Sequence, residues 1–400
     1  MTQIVERLNQ AGLGVLPDGR HVERALPGEE VEVLEDGSAR IVTPVEARVK
    51  APCRHFKSCG GCAMQHASDA FVGDWKIAIV EKAMTARGLL FPFRSLHTSP
   101  PQSRRRARLS GRRTKKGAMV GFHGKASDTL VEVPDCQLLL PAMRAAFPAL
   151  EALTVIAASR KTEVSLTLTD TVNGPDIAVE TDRELTGPLR IELAGLAEAH
   201  DLARLTWNGD VVVTRKSPAQ RFGVADVVPP PAAFLQATRE GEAALVAGVM
   251  EAAQGCHRVI DLFSGCGTFT LPLAKQAEVH AVESLEDMTE ALDRGWRHAK
   301  GLKTVTTEAR DLFRRPLEPD ELARFDLAVI DPPRAGAEAQ IDTLARSSIK
   351  KVVMVSCNPV TFARDAETLI KAGFLLDWVD VVDQFRWAPH VELVSSFSRK

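Results

Sequence analysis

The chain has 400 residues, 45% hydrophobic and 26% charged, an ordinary globular balance that excludes bulk disorder, collagen and coiled coil. No apolar run reaches the roughly 18 residues of a membrane helix, and the N-terminus lacks the basic-then-apolar pattern of a secretory signal, so no membrane partner is expected. Fifty Lys+Arg against 52 Asp+Glu give a net charge of −2, which taken whole argues against a nucleic-acid surface.

The sum is a cancellation. Residues 1–50 hold six Lys/Arg and nine Asp/Glu, whereas residues 51–125 hold fifteen Lys/Arg and three Asp/Glu. A strongly basic block beside acidic ones signals a polyanionic partner. Seven cysteines without an export signal point to a reducing, cytoplasmic setting with thiols used for metal or catalysis.

The length predicts two or three domains. Residues 1–50 read as short strands between tight turns, with alternation at Val31-Glu-Val-Leu and Ala39-Arg-Ile-Val. The pattern fits a small oligonucleotide-binding (OB-like) barrel or, equally, a hairpin packed on the next domain. Residues 51–235 are mixed α+β. Helical spacing runs from Ala70 to Arg87, alternation over 160–169, and Pro229-Pro-Pro is a hinge. Residues 236–400 alternate buried apolar runs with helical stretches, the signature of a doubly wound α/β sheet that binds ligands beyond the carboxyl ends of its strands.

In the first βα unit of this last domain, Asp261-Leu-Phe-Ser-Gly-Cys-Gly-Thr passes from strand to glycine loop to helix. Glu283 ends the next strand, placed for ribose hydroxyls. The loop lacks a full G-x-G-x-x-G and a following Lys, so a ribose ligand without phosphate, S-adenosylmethionine, fits better than a dinucleotide or ATP. Asp311 offers a carboxylate for an adenine amino group, and the prolines of Asp331-Pro-Pro hold Asp331 over the crevice. Either aspartate could instead cap a helix.

Cys357 follows the fifth strand. Arg364 and the following helix would both favour its thiolate. A thiolate facing a methyl donor suits methylation of uracil carbon-5: addition at carbon-6 makes carbon-5 nucleophilic, and a base then removes the carbon-5 proton. Glu392, in His390-Val-Glu, is the candidate base, although strand alternation alone would turn it to solvent. Cys53, Cys59, Cys62 and Cys136 can hold an iron–sulfur cluster or zinc, with His55 and His66 keeping a mixed zinc site open. The run Arg104-Arg-Arg-Ala-Arg-Leu-Ser-Gly-Arg-Arg-Thr-Lys-Lys suits phosphate neutralisation, and a single unstacked uracil favours RNA.

Together these motifs resemble the RNA uridine-5 methyltransferase family over nearly the whole chain. The resemblance implies a class I methyltransferase domain at 236–400, with Cys357 as nucleophile and Glu392 as base. Gln236, Phe263, Thr268, Glu283, Asp311 and Asp331 would line the S-adenosylmethionine and uracil site. The four cysteines match the branch carrying a [4Fe–4S] cluster in a central RNA-binding domain at 51–235, and residues 1–50 resemble its RNA-binding TRAM barrel. The implied enzyme methylates 23S rRNA, with tRNA as runner-up, in the cytoplasm and as a monomer. The competing expectations are a non-catalytic iron–sulfur RNA-binding module and a small-molecule methyltransferase.

Overall fold

A computed structural model describes residues 2–400. Apolar runs in the C-terminal part form one eight-stranded sheet. Its order is Val305–Ala309, Glu278–Glu283, Arg258–Leu262, Leu327–Ile330, Lys351–Ser356, Glu392–Ser398, Leu375–Asp383, Phe93–Thr98. The first five strands are parallel, and Glu392–Ser398 runs antiparallel to both neighbours. Buried residues fill both faces, one around Ile260, Leu262 and Phe362, the other around Val259, Val353 and Val394. That two-sided burial is why the strands read as continuous apolar runs. Chain order reverses between Arg258–Leu262 and Leu327–Ile330, and a ligand crevice opens at such a point.

Part of the middle segment is built onto this sheet. Phe93–Thr98 pairs in parallel with Leu375–Asp383, and helix Asp69–Thr85 buries Val80 and Met84 in the same core. The expected central unit, 51–235, is therefore not separate over 69–98. The edge strand's open backbone groups are satisfied by a strand from upstream. Hairpin Gln220–Phe222 and Ala225–Val227 also docks on helix Glu286–His298, where a Cβ on Gly295 would come within 2.6 Å of Val227.

The rest of the middle segment is a seven-stranded mixed sheet covered by helices Phe147–Ala157 and Gly187–Ala199. Residues 2–43 form two three-stranded antiparallel sheets over a core of Val5, Leu16, Val22, Ala25 and Val31. Among the described residues no strand ladder joins these two sheets into one barrel. No helix among the described residues is long and apolar enough to cross a membrane.

Candidate active site and cysteine centre

The glycine loop follows strand Arg258–Leu262. Gly265 has φ +55, and a Cβ there would meet only Met288 at an ordinary 4.0 Å, so conformation alone demands glycine. Gly267 has φ +96, and a Cβ would also strike Leu292 at 2.9 Å. Phe263 takes φ +62 without being glycine, a strained backbone at the mouth of the crevice. Its ring lies 5.4 Å from that of Phe313, which is half exposed. Sequence reasoning missed Phe313, because nothing in Asp311-Leu-Phe distinguishes it from a surface aromatic.

Asp261 is fully buried. Its Oδ2 accepts from the Thr270 hydroxyl, its Oδ1 has no partner, and burial pushes its pKa up to about 7. The Ser264 hydroxyl is also buried without a partner. Glu283 braces the loop: Oε2 accepts from Gly265 N–H at 3.1 Å and Oε1 from Ser284 N–H at 2.7 Å. Thr268 lies half-buried on the same loop. Asp311 caps no helix; its carboxylate closes a turn instead. Its Oδ1 accepts from Phe313 N–H at 3.0 Å and Arg314 N–H at 3.3 Å, so it closes its own turn.

Across the switch point three ionisable side chains converge. Burial and the Asp261 carboxylate push Asp331 up to about 7. Glu392 is 3% exposed, so the solvent-facing expectation fails: Glu392 begins a strand covered on both faces. Burial, then the charge of Asp331, hold its carboxyl well above the usual range, opposed by Gln384 and Arg334. Burial, then the charges of Glu392 and Asp331, push the Cys357 thiol up to about 11.

The cation opposing this rise is Arg334, not Arg364 as the sequence suggested. Arg364 turns to Asp365, Glu338 and the Ala335 carbonyl. The helix expectation holds in position: Pro359–Lys371 begins two residues beyond the thiol, capped by the Asn358 side chain. The resting site therefore keeps a protonated sulfur beside a helix N-terminus and one guanidinium.

Gln236 joins this group. Its Nε2 donates to Asp331 Oδ2 at 3.2 Å, and it is buried. Gln384 donates to it and was not anticipated, as a lone Gln after an apolar strand carries no motif.

The four cysteines gather at the edge of the central sheet. Cys53, Cys59 and Cys62 are each raised by burial and by the charge of Cys136, and burial pushes Cys62 up to about 12. Gly61 N–H points at Cys59 Sγ (3.4 Å) and Leu138 N–H at Cys136 Sγ (3.5 Å). Among the described residues no three His, Cys, Asp or Glu side chains gather closely enough to hold one metal ion. Of the histidines weighed for a mixed zinc site, His55 turns to Asp135 at 3.0 Å, and His66 is buried against Phe56 with both ring nitrogens unpartnered.

The basic run is divided by strand alternation. Arg105 points inward to a buried ion pair with Glu242, and Arg108 and Arg112 pair with Glu180 and Glu163. Arg113, Lys115 and Lys116 stay exposed without ion pairs, and Arg104 stacks over Phe385. The run is part scaffold and part free cation.

The pattern of the tRNA (Uracil-5-)-methyltransferase family matches residues 298–400. An RNA methyltransferase of Caulobacter vibrioides is 41% identical over 97% of this chain and 97% of its own. A 23S rRNA (uracil(1939)-C(5))-methyltransferase of Vibrio cholerae is 32% identical over 99% of this chain and 95% of its own. The solved structure of Pyrococcus abyssi tRNA (uracil-54, C5)-methyltransferase with S-adenosyl-L-homocysteine superposes with a TM-score of 0.77, covering 99% of this chain and 100% of that one at 23% identity, a shared fold. The chain thus belongs to the family of S-adenosylmethionine-dependent RNA (uracil-5-)-methyltransferases.

Proposed function

We propose that the protein methylates carbon-5 of a uridine in 23S ribosomal RNA through a covalent cysteine–uracil adduct. The observation that carries this reading is the meeting of the Cys357 thiol with the buried Glu392 and Asp331 carboxyls beside the glycine loop. Cys357 Sγ adds to uracil carbon-6, its proton passing to the Asp331 carboxylate, and the electron pair moves to the carbon-4 oxygen. Carbon-5 then takes the methyl group from the sulfonium, leaving S-adenosylhomocysteine. Glu392 removes the carbon-5 proton, the carbon–sulfur bond breaks, and the departing thiolate takes back the proton held by Asp331. A carboxyl whose pKa lies well above its ordinary range is the stronger base for that step. Asp331 and Gln236 border the uracil, and Phe263, Thr268, Glu283 and Asp311 border the methyl donor, with Phe313 as an added wall.

Ribosomal RNA is favoured over tRNA by the 32% identical Vibrio relative, matched along 95% of its length. The exposed Arg113, Lys115 and Lys116 and the N-terminal sheets would hold the RNA in the cytoplasm, with the protein acting as a monomer. Mapping 5-methyluridine in cells lacking the gene tests the target: one 23S rRNA position should lose its methyl group. Loss confined to tRNA would move the substrate there.

Cys53, Cys59, Cys62 and Cys136 would hold a [4Fe–4S] cluster. Four thiols whose charges reach one another suit such a group, and the two N–H···S contacts are of the kind that tune such sulfurs. Such a cluster would tie the cysteine loop to the sheet. Anaerobically purified protein should contain about four iron and four sulfide per chain; one equivalent of zinc would contradict the assignment.

A further inference from the structure

We propose that Gln384 is a positioning residue that fixes the hydrogen-bonding polarity of Gln236 and Asp331 and holds Glu392 in place for proton removal. The inference rests on Glu392 being the base, as proposed above.

Gln384 is 2% exposed, and its side-chain amide is hydrogen-bonded at both ends. Its Oε1 accepts from the Ala237 backbone N–H at 2.7 Å. Its Nε2 donates to Gln236 Oε1 at 2.6 Å, and the amide also draws the pKa of the Glu392 carboxyl down against burial. A side-chain amide can be turned end for end, and both glutamines would be ambiguous alone. The backbone N–H removes the ambiguity, because it can only donate. Gln384 must offer it oxygen, and so presents N–H to Gln236. Gln236 must accept there, and so presents its own N–H to Asp331 Oδ2. One main-chain group thus sets the direction of a relay that ends on a carboxylate oxygen at the uracil site. Asp331 is left to address the substrate with its other oxygen.

Two features hold Gln384 itself. The preceding residue, Asp383, is locked by the buried ammonium of Lys76. Gly241 makes room on the other side: a Cβ there would come 2.6 Å from Gln384 Cβ. The groups whose charges reach Glu392 are Asp331, Cys357 and Arg334.

The test compares Gln384→Met, which keeps length and loses the amide, with wild type and Glu392→Gln on the same RNA transcript. Gln384→Met should lower kcat about 10- to 100-fold with the RNA KM little changed, because the base is misplaced rather than the substrate lost. Loss of an N–H that favours the carboxylate raises the pKa of Glu392, so the rising limb of kcat against pH should move to higher pH. A methylated protein–RNA adduct should also accumulate during turnover. Gly241→Ala, which leaves the amide intact and displaces it, should give the same three signs in weaker form and serves if Gln384→Met misfolds. Glu392→Gln separates the two ideas. If it accumulates adduct while both Gln384→Met and Gly241→Ala keep wild-type kcat and pH profile, the positioning role is wrong. If Glu392→Gln itself turns over normally, the base assignment falls and this inference with it.

Discussion

Cys357→Ala should abolish methyl transfer, by at least on the order of 10⁴-fold, while binding of S-adenosylmethionine persists. The thiol ends strand Lys351–Ser356 at the crevice and touches no structural partner that its loss would orphan. Only a nucleophile explains a loss of that size with an intact fold. Cys357→Ser should fare little better, because a serine hydroxyl is a far weaker nucleophile than a thiolate. Turnover of RNA by single-round assay checks both. A decrease of tenfold or less would reassign Cys357 to packing.

Lys76→Ala should destabilise the protein by about 3–5 kcal/mol. Lys76 is fully buried in helix Asp69–Thr85, and its ammonium pairs with Asp383 and donates to the carbonyls of Phe385 (3.0 Å) and His390 (2.8 Å). Removing it leaves a buried carboxylate without its cation and two carbonyls without a donor. The double change Lys76→Met with Asp383→Leu should cost less than the sum of the singles, since it removes both charges together. Urea denaturation of the four proteins measures the coupling; strict additivity would mean that the pair contributes nothing as a pair. The same three contacts pin the turn between strands Leu375–Asp383 and Glu392–Ser398. Trp387 carbonyl accepts from Ala63 and Met64 N–H as well, so the cysteine loop leans on the hairpin that carries Glu392.

The parts of the site legible in the sequence lie at strand ends. Glu283, Asp331 and Cys357 each close an apolar run, Asp261 sits one residue from its strand's end, and parallel strands deliver such residues to one crevice. The glycine loop was legible for the same reason: Gly265 and Gly267 sit where a strand must turn tightly into a helix.

What the sequence concealed depended on contacts between distant segments. Strand alternation sorts residues by face but not by whether a face is covered, so it misplaced Glu392 at a strand buried on both sides. Within the basic run the same alternation sent Arg105 inward to Glu242, 137 residues away. Spacing along one helix suggested Arg364 as the cation near the thiol, yet Arg364 has carboxylates closer at hand and Arg334 takes that place. Lys76 reads as a surface lysine until Asp383, 307 residues on, is brought beneath it. The domain limits failed over 69–98 because strand pairing with Leu375–Asp383 is invisible to local composition.

The central claim is that Cys357 bonds to uracil carbon-6 during methyl transfer. The direct measurement is mass spectrometry of the protein after reaction with RNA carrying 5-fluorouridine at the target position. Fluorine cannot leave carbon-5 as a proton does, so Glu392 has nothing to remove and the adduct is trapped. The account predicts an SDS-stable complex whose Cys357 peptide carries the fluorinated nucleotide plus one methyl group. Active enzyme that forms no adduct, or one bonded elsewhere, would contradict it.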